Sequence, residues 1–211
     1  MSPAAAVGAT LPHLDEATRS LVRLAAVLAG GSESAVREQL QAAATSTPHE
    51  WIEELLLQTY LFAGFPRTLN GVREWRRLKP DVPPAGPSAA RDQRERGEAT
   101  CRRVYGPMYE RLRVNIRALH PLLDDWMIDE GYGKVLSRPG LDLPRRELCI
   151  VAACAATAQD RQLQSHFHGA RNVGVGENAI TDALAALKGI VPESRLSRAL
   201  RMWNRIRHDI H

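Results

Sequence analysis

The chain has 211 residues, 44% of them hydrophobic and 25% charged, with a formal net charge of +4. That is length and apolar content enough to bury a core. Its basic residues are interleaved with Glu and Asp rather than gathered into a stripe, which argues against a nucleic-acid partner, and the longest apolar stretch, Cys149 to Ala156, falls far short of the roughly 20 residues a membrane span needs.

The first eight residues carry no basic segment and no long apolar core, so they do not read as a secretory signal, and a cytoplasmic setting is expected. A first helix is expected from about Asp15 to Ala29, stopped by Gly30-Gly31. Ser32 can cap a second through about Ala44. Thr47-Pro48-His49-Glu50 reads as a capping box with Pro at the first helical position, opening an apolar helix over Trp51 to Phe62 that ends at Gly64-Phe65-Pro66. A fourth helix follows from about Arg67 to Leu78. Four prolines between Lys79 and Pro87 forbid helix and predict an extended spacer, so residues 1–78 and 88–211 are expected to be separate units joined by a 79–87 linker.

Ser88 to Val104 is highly charged and predicts a helix lying on the surface. Pro107 to Leu119 and Pro121 to about Gly131 predict two more. Pro139-Gly140 marks a turn, and Pro144 can start a largely apolar, buried helix to about Ala158. Asp160 is expected to cap the helix that carries His166. Further helices are expected from about Glu177 to Leu187 and from Pro192 to the C-terminus. Strand signals are nearly absent, so the fold class is all-α.

The two ends of the chain resemble each other. Glu50 to Leu56 aligns with Asn178 to Leu184 at an offset of 128, and the same offset takes Trp75 to Trp203. At that offset Glu147 falls on Arg19, beside Ser20, and His166 falls on Glu38, beside Gln39, so the Glu–His pair is not repeated in the first half.

Chemistry concentrates in the run from Gly131 to Leu148, which contains Ser137-Arg138-Pro139-Gly140-Leu141-Asp142 and Arg145-Arg146-Glu147-Leu148, and in Gln162 to Val175, where His166 stands nineteen positions after Glu147. Imidazole titrates near neutral pH and suits giving and taking a proton, and a neighbouring carboxylate can fix its tautomer. The bland alternatives are a buried Glu147 locking Arg138 or Arg145, and a satisfied core or interface histidine at 166. His166 and His168 lie two apart on a helix and point to different faces, so no metal site is expected. Cys101, Cys149 and Cys154 have no Cys-x-x-Cys spacing and are expected as buried free thiols. Lys occurs only at positions 79, 134 and 188, so nearly all of the 28 basic residues are Arg; they read either as coding bias on solvated faces or as carboxylate recognition.

These segments resemble the carboxymuconolactone decarboxylase family, whose members read roughly G-x-V-x-S-R-P-G-L-D-x-x-x-R-x-L and then L-x-x-H-x-x-x-A-x-N-x-G-V. Ala63 to Asn70 is similar to the family's Y-A-G-x-P-x-x-x-N segment; in the second half Lys188 to Pro192 stands in its place. The resemblance is clear over about Glu98 to Val191 and weaker over about Asp15 to Trp75. It implies two tandem copies of the alkylhydroperoxidase D-like helical unit, the first degenerate. It also implies a homo-oligomer, a trimer imitating a ring of six units. The namesake reaction loses CO2 from 4-carboxymuconolactone in aromatic catabolism and needs no cofactor. On that implication the ligand is a small molecule, His166 delivers the proton and Glu147 positions it. Arg138 would hold a substrate carboxylate or enolate oxygen, and His168 would sit at the rim of the site or at a subunit contact. A catalytic member should show a closed polar pocket with Glu147 and His166 in hydrogen-bond reach, whereas a non-catalytic scaffold should show that pocket filled. The peroxidase branch of the superfamily would place its two cysteines at Gln159 and Gln162, where neither residue can form a thiolate.

Overall fold

The structure, a computed structural model, describes residues 10–84, 86 and 92–208. It is all-α: the helices are α1 (Glu16–Gly30), α2 (Glu33–Ser46), α3 (His49–Leu78), α4 (Gln93–Tyr105), α5 (Tyr109–Leu119), α6 (Pro121–Trp126), α7 (Leu143–Thr157), α8 (Asp160–Asn172), α9 (Glu177–Ala186) and α10 (Glu193–His208). A 3₁₀ turn, Gly106–Met108, precedes α5, and a π-helical stretch, Met127–Leu136, follows α6. A single parallel bridge joins Leu11 to Val175. No described helix is long and apolar enough to cross a membrane.

Local chemistry sets several helix starts. Asp15 accepts from Thr18 N, Ser32 from Ala35 N and Asp142 from Arg145 N, each satisfying an orphan N–H of a first turn. Two expected caps do not form. The Thr47 hydroxyl donates to the Ala17 carbonyl and the Glu50 carboxylate lies against Gly140, so no capping box closes over Pro48. Asp160 is already inside α8 and pairs with Arg198, leaving Gln159 at the cap position. The chain turns at Gly64, whose φ of 78° is a left-handed conformation that only glycine adopts without cost; α3 is thus two helices meeting there, as the Gly64-Phe65-Pro66 segment predicts.

α1 and α7 form the centre. Leu21, Leu24 and Leu28 of α1 and nearly all of α7 are buried, and the two helices pack on each other. Each fully buried Leu contributes about 1.5–3 kcal/mol relative to exposure. α2 and α3 pack against α1; α8, α9 and α10 pack against α7. α4 is not the surface helix its charge predicts: Gly97, Cys101 and Val104 are buried, and it lies against the π-helical stretch and α8. Ser88 to Arg91, the start of that expected helix, lie outside the described residues, as do Ala85 and Pro87 of the Pro-rich stretch and residues 209–211.

The helix boundaries at the two ends follow the same spacing. α1, α2 and the halves of α3 stand at nearly the same offset of 128 from α7, α8, α9 and α10. The Trp75 indole donates to Glu53 and the Trp203 indole to Thr181, residues related by that offset. Arg67 donates to the Leu28 carbonyl at the end of α1, and Arg195 donates to the Ala156 carbonyl at the end of α7, again at 128. A buried ionic knot ties the two ends: Glu54 of α3 takes a two-pronged contact from Arg138 and a 2.8 Å bond from the fully buried Arg146 of α7.

Candidate active site

Glu147 stands one turn into α7, a helix buried almost all round, so its carboxylate is 0% exposed. α8 crosses it. His166 Nδ1 lies 2.8 Å from Glu147 Oε2. The approach needs Gly169: a Cβ there would come within 2.7 Å of the same carboxylate oxygen. Glu147 Oε1 is buried with no hydrogen-bond partner among the described residues. Since a carboxylate accepts, Nδ1 carries the ring proton, and Nε2 is the nitrogen left for chemistry.

His166 borders a cavity of about 570 Å³. Its walls come from three parts of the chain: Tyr60, Leu61 and Phe62 of α3, Tyr105 of α4, and the stretch from Leu123 to Leu136. Phe62 meets the imidazole edge-on with centroids 5.9 Å apart, and Tyr105 lies 6.4 Å away on a tilt. Burial pushes the Tyr105 and Tyr132 hydroxyls well above the usual phenol range, so both are neutral and able to donate. Glu130 is the one acidic residue in the wall, held by Lys134 at 3.0 Å and by the Tyr60 hydroxyl at 3.3 Å.

The π winding chooses this wall. With i to i+5 bonding, residues four or five apart share a face, and Met127, Gly131, Tyr132 and Leu136 all border the cavity. An α-helical winding would align Met127 with Gly131 and Lys134 instead.

The structure therefore brings Glu147 and His166 together and places the other two candidates elsewhere. Arg138 is bound to Glu54 and to the Gly86 carbonyl and does not border the cavity. The buried Glu54 carboxylate is the stronger local attractor for its guanidinium. His168 is exposed and borders a different groove, because two helical positions turn it away from His166. The cavity is also not the closed polar pocket expected; it is walled mainly by aromatic and aliphatic groups, with the exposed Leu123 and Trp126 at its rim. Tyr60 and Phe62 of α3 and Tyr105 of α4 lie outside the Gly131–Leu148 and Gln162–Val175 runs, and only the fold brings them to His166; Gly131, Tyr132 and Leu136 lie inside the first of those runs.

Residues 121–204 match the carboxymuconolactone decarboxylase family. That segment holds both Glu147 and His166. The chain is also 29% identical over 140 residues, 63% of its length, to a protein named Peroxisomal protein 2 from Schizosaccharomyces pombe. It spans 64% of that relative's length. No solved structure matches it.

Cys149 and Cys154 are buried and free, as is Cys101 of α4. Burial pushes the Cys101 and Cys154 thiols up to about 12 and the Cys149 thiol higher still, away from the thiolate that peroxide or disulfide chemistry needs.

Proposed function

We propose that the protein is a cofactor-free acid–base enzyme of the carboxymuconolactone decarboxylase type, acting on a small carboxylated lactone. The observation that carries this is the His166–Glu147 contact at 2.8 Å on the edge of an unfilled 570 Å³ cavity. A scaffold that had abandoned chemistry has no need to keep that space or to bury a carboxylate beside an imidazole.

In the reaction, the bond to the substrate carboxylate breaks, its electron pair moves onto the lactone carbonyl as an enolate, and CO2 leaves. His166 takes a proton from water at Nε2 and gives it to the carbanion carbon. Glu147 is a positioning residue that fixes the ring and offsets its charge. Arg138 being engaged elsewhere, the neutral hydroxyl of Tyr105 is the donor available to the enolate oxygen. An apolar wall around the substrate carboxylate favours loss of CO2, because the charge is spread in the transition state and less dependent on water.

The tandem reading belongs to this proposal. The matched indole and Arg bonds at the 128 offset support a duplicated unit with one chemical half, and three chains would then make a ring of six units. The cytoplasm is the setting expected from the sequence; the relative's name gives a compartment and no reaction.

The test is the ultraviolet change on incubating the protein with 4-carboxymuconolactone. His166→Ala should lower kcat by about 10²-fold or more. Glu147→Gln should lower kcat with KM little changed, and ¹⁵N spectra should show the imidazole leaving the Nδ1–H tautomer. Tyr105→Phe should cost about tenfold. Turnover undiminished in His166→Ala would overturn the assignment.

A further inference from the structure

A second concavity lies on the far side of Tyr105. It is about 560 Å³, between the end of α4, the 3₁₀ turn, α5 and α8. Its floor is apolar, with Val104, Pro107, Met108 and Leu112. Arg111 reaches it from α5 and Arg161 from α8, and no carboxylate lines it. Most arginines of the described chain are spent on ion pairs or backbone carbonyls, such as Arg113 and Arg117 on Asp124 and Arg195 on Ala156. Arg111 and Arg161 have no such partner among the described residues. Gln164, Asn115 and His168 add further polar groups around the same rim.

Two guanidiniums lining one groove with an apolar floor suit one anionic head with a greasy body attached. Asn172 keeps the end of α4 in place by donating to the Val104 carbonyl at 2.8 Å, so the floor is built before any ligand arrives. The size suits a molecule of drug-like dimensions.

We propose that this groove binds an organic monocarboxylate with an apolar chain or ring, its carboxylate held between Arg111 and Arg161 and its body lying on Met108 and Leu112. The site is separate from the His166 cavity and does not rest on the acid–base reading. Tyr105 is a wall of both, so an occupant of the groove would brace the ring that faces His166 from behind.

Isothermal titration of the full chain with octanoate, beside uncharged 1-octanol, tests this. Octanoate should bind once per chain and 1-octanol at least tenfold more weakly. The double variant Arg111→Gln/Arg161→Gln should lose about tenfold or more in octanoate affinity, since charge-assisted bonds are removed. Both residues are exposed, so the variant should keep the wild-type circular dichroism. His166→Ala should bind octanoate unchanged. Octanoate binding that survives the double variant, that matches 1-octanol, that is lost in His166→Ala or that is absent at millimolar concentration would overturn the proposal.

Discussion

Glu54 shows how much one side chain can hold. It is buried, and it neutralises Arg146, which is wholly buried on α7, as well as Arg138 in the turn before α7. Burial pulls the Arg146 guanidinium below its usual range while Glu54 opposes that pull. Removing the carboxylate leaves two cations in the interior without a counter-charge. Glu54→Ala should therefore lower stability by about 3–5 kcal/mol, read from the urea midpoint. Glu54→Ala/Arg146→Met should recover part of it, because the stranded charge is gone; if the double variant is as unstable as the single, the ion pair is not what matters there. At this scale the sequence was partly legible. The nineteen-residue spacing and the flanking motif put Glu147 opposite His166, because both lie on consecutive helices with an intact turn between them. Arg138 was misjudged because its partner, Glu54, lies 84 positions earlier, and no local pattern announces so distant a pairing.

Helices were legible where their ends are marked by local chemistry. Asp15, Ser32, Gly64 and Pro144 each act on their immediate neighbours, and each boundary they predict is found within a residue or two. The π-helical stretch was not legible, since its ten residues differ from an α-helix in hydrogen-bond register and not in composition. Nor was the pairing of α5 with α6. There Arg113 holds the buried Asp124 carboxyl below the usual carboxylate range, with Arg117 adding to the effect. A group more acidic in the folded chain binds fewer protons there than when unfolded. Its contribution is complete above the ordinary value of about 3.9 and is lost as the pH falls through the lower, folded value. Thermal unfolding followed by circular dichroism should show wild-type stability falling below about pH 4. Asp124→Asn should be less stable at pH 7 and flatter in acid; an unchanged acid slope would show that other carboxylates govern it.

Across the whole molecule, Glu147 and His166 both stand in the second half of the chain, and the first half packs on it through α1 on α7. Exposed apolar residues gather on α5, α6 and nearby parts of α3, with Leu119 76% exposed and Phe65 64% exposed. Patches of that kind on a folded chain mark contact surfaces. The trimer proposal predicts three chains per particle by light scattering after gel filtration, and Leu119→Glu with Phe65→Glu should shift the particle toward one. A wild-type monomer at all concentrations would remove the ring of six units from consideration. How α4 docks could not be drawn from the sequence, because its charge hides a seam of only three buried residues.

The winding of residues 127–136 has an evolutionary corollary. The wall facing the imidazole is decided by how many residues the chain spends on that turn as well as by which ones. Dropping a single residue there would let the turn relax to the commoner register, carrying Tyr132 away and swinging Lys134 inward. A relative could thus exchange an aromatic wall for a cationic one through an insertion or deletion, with every other residue lining the cavity left as it was. The charge of this wall would then follow chain length, where a comparison of aligned residues would not look for it.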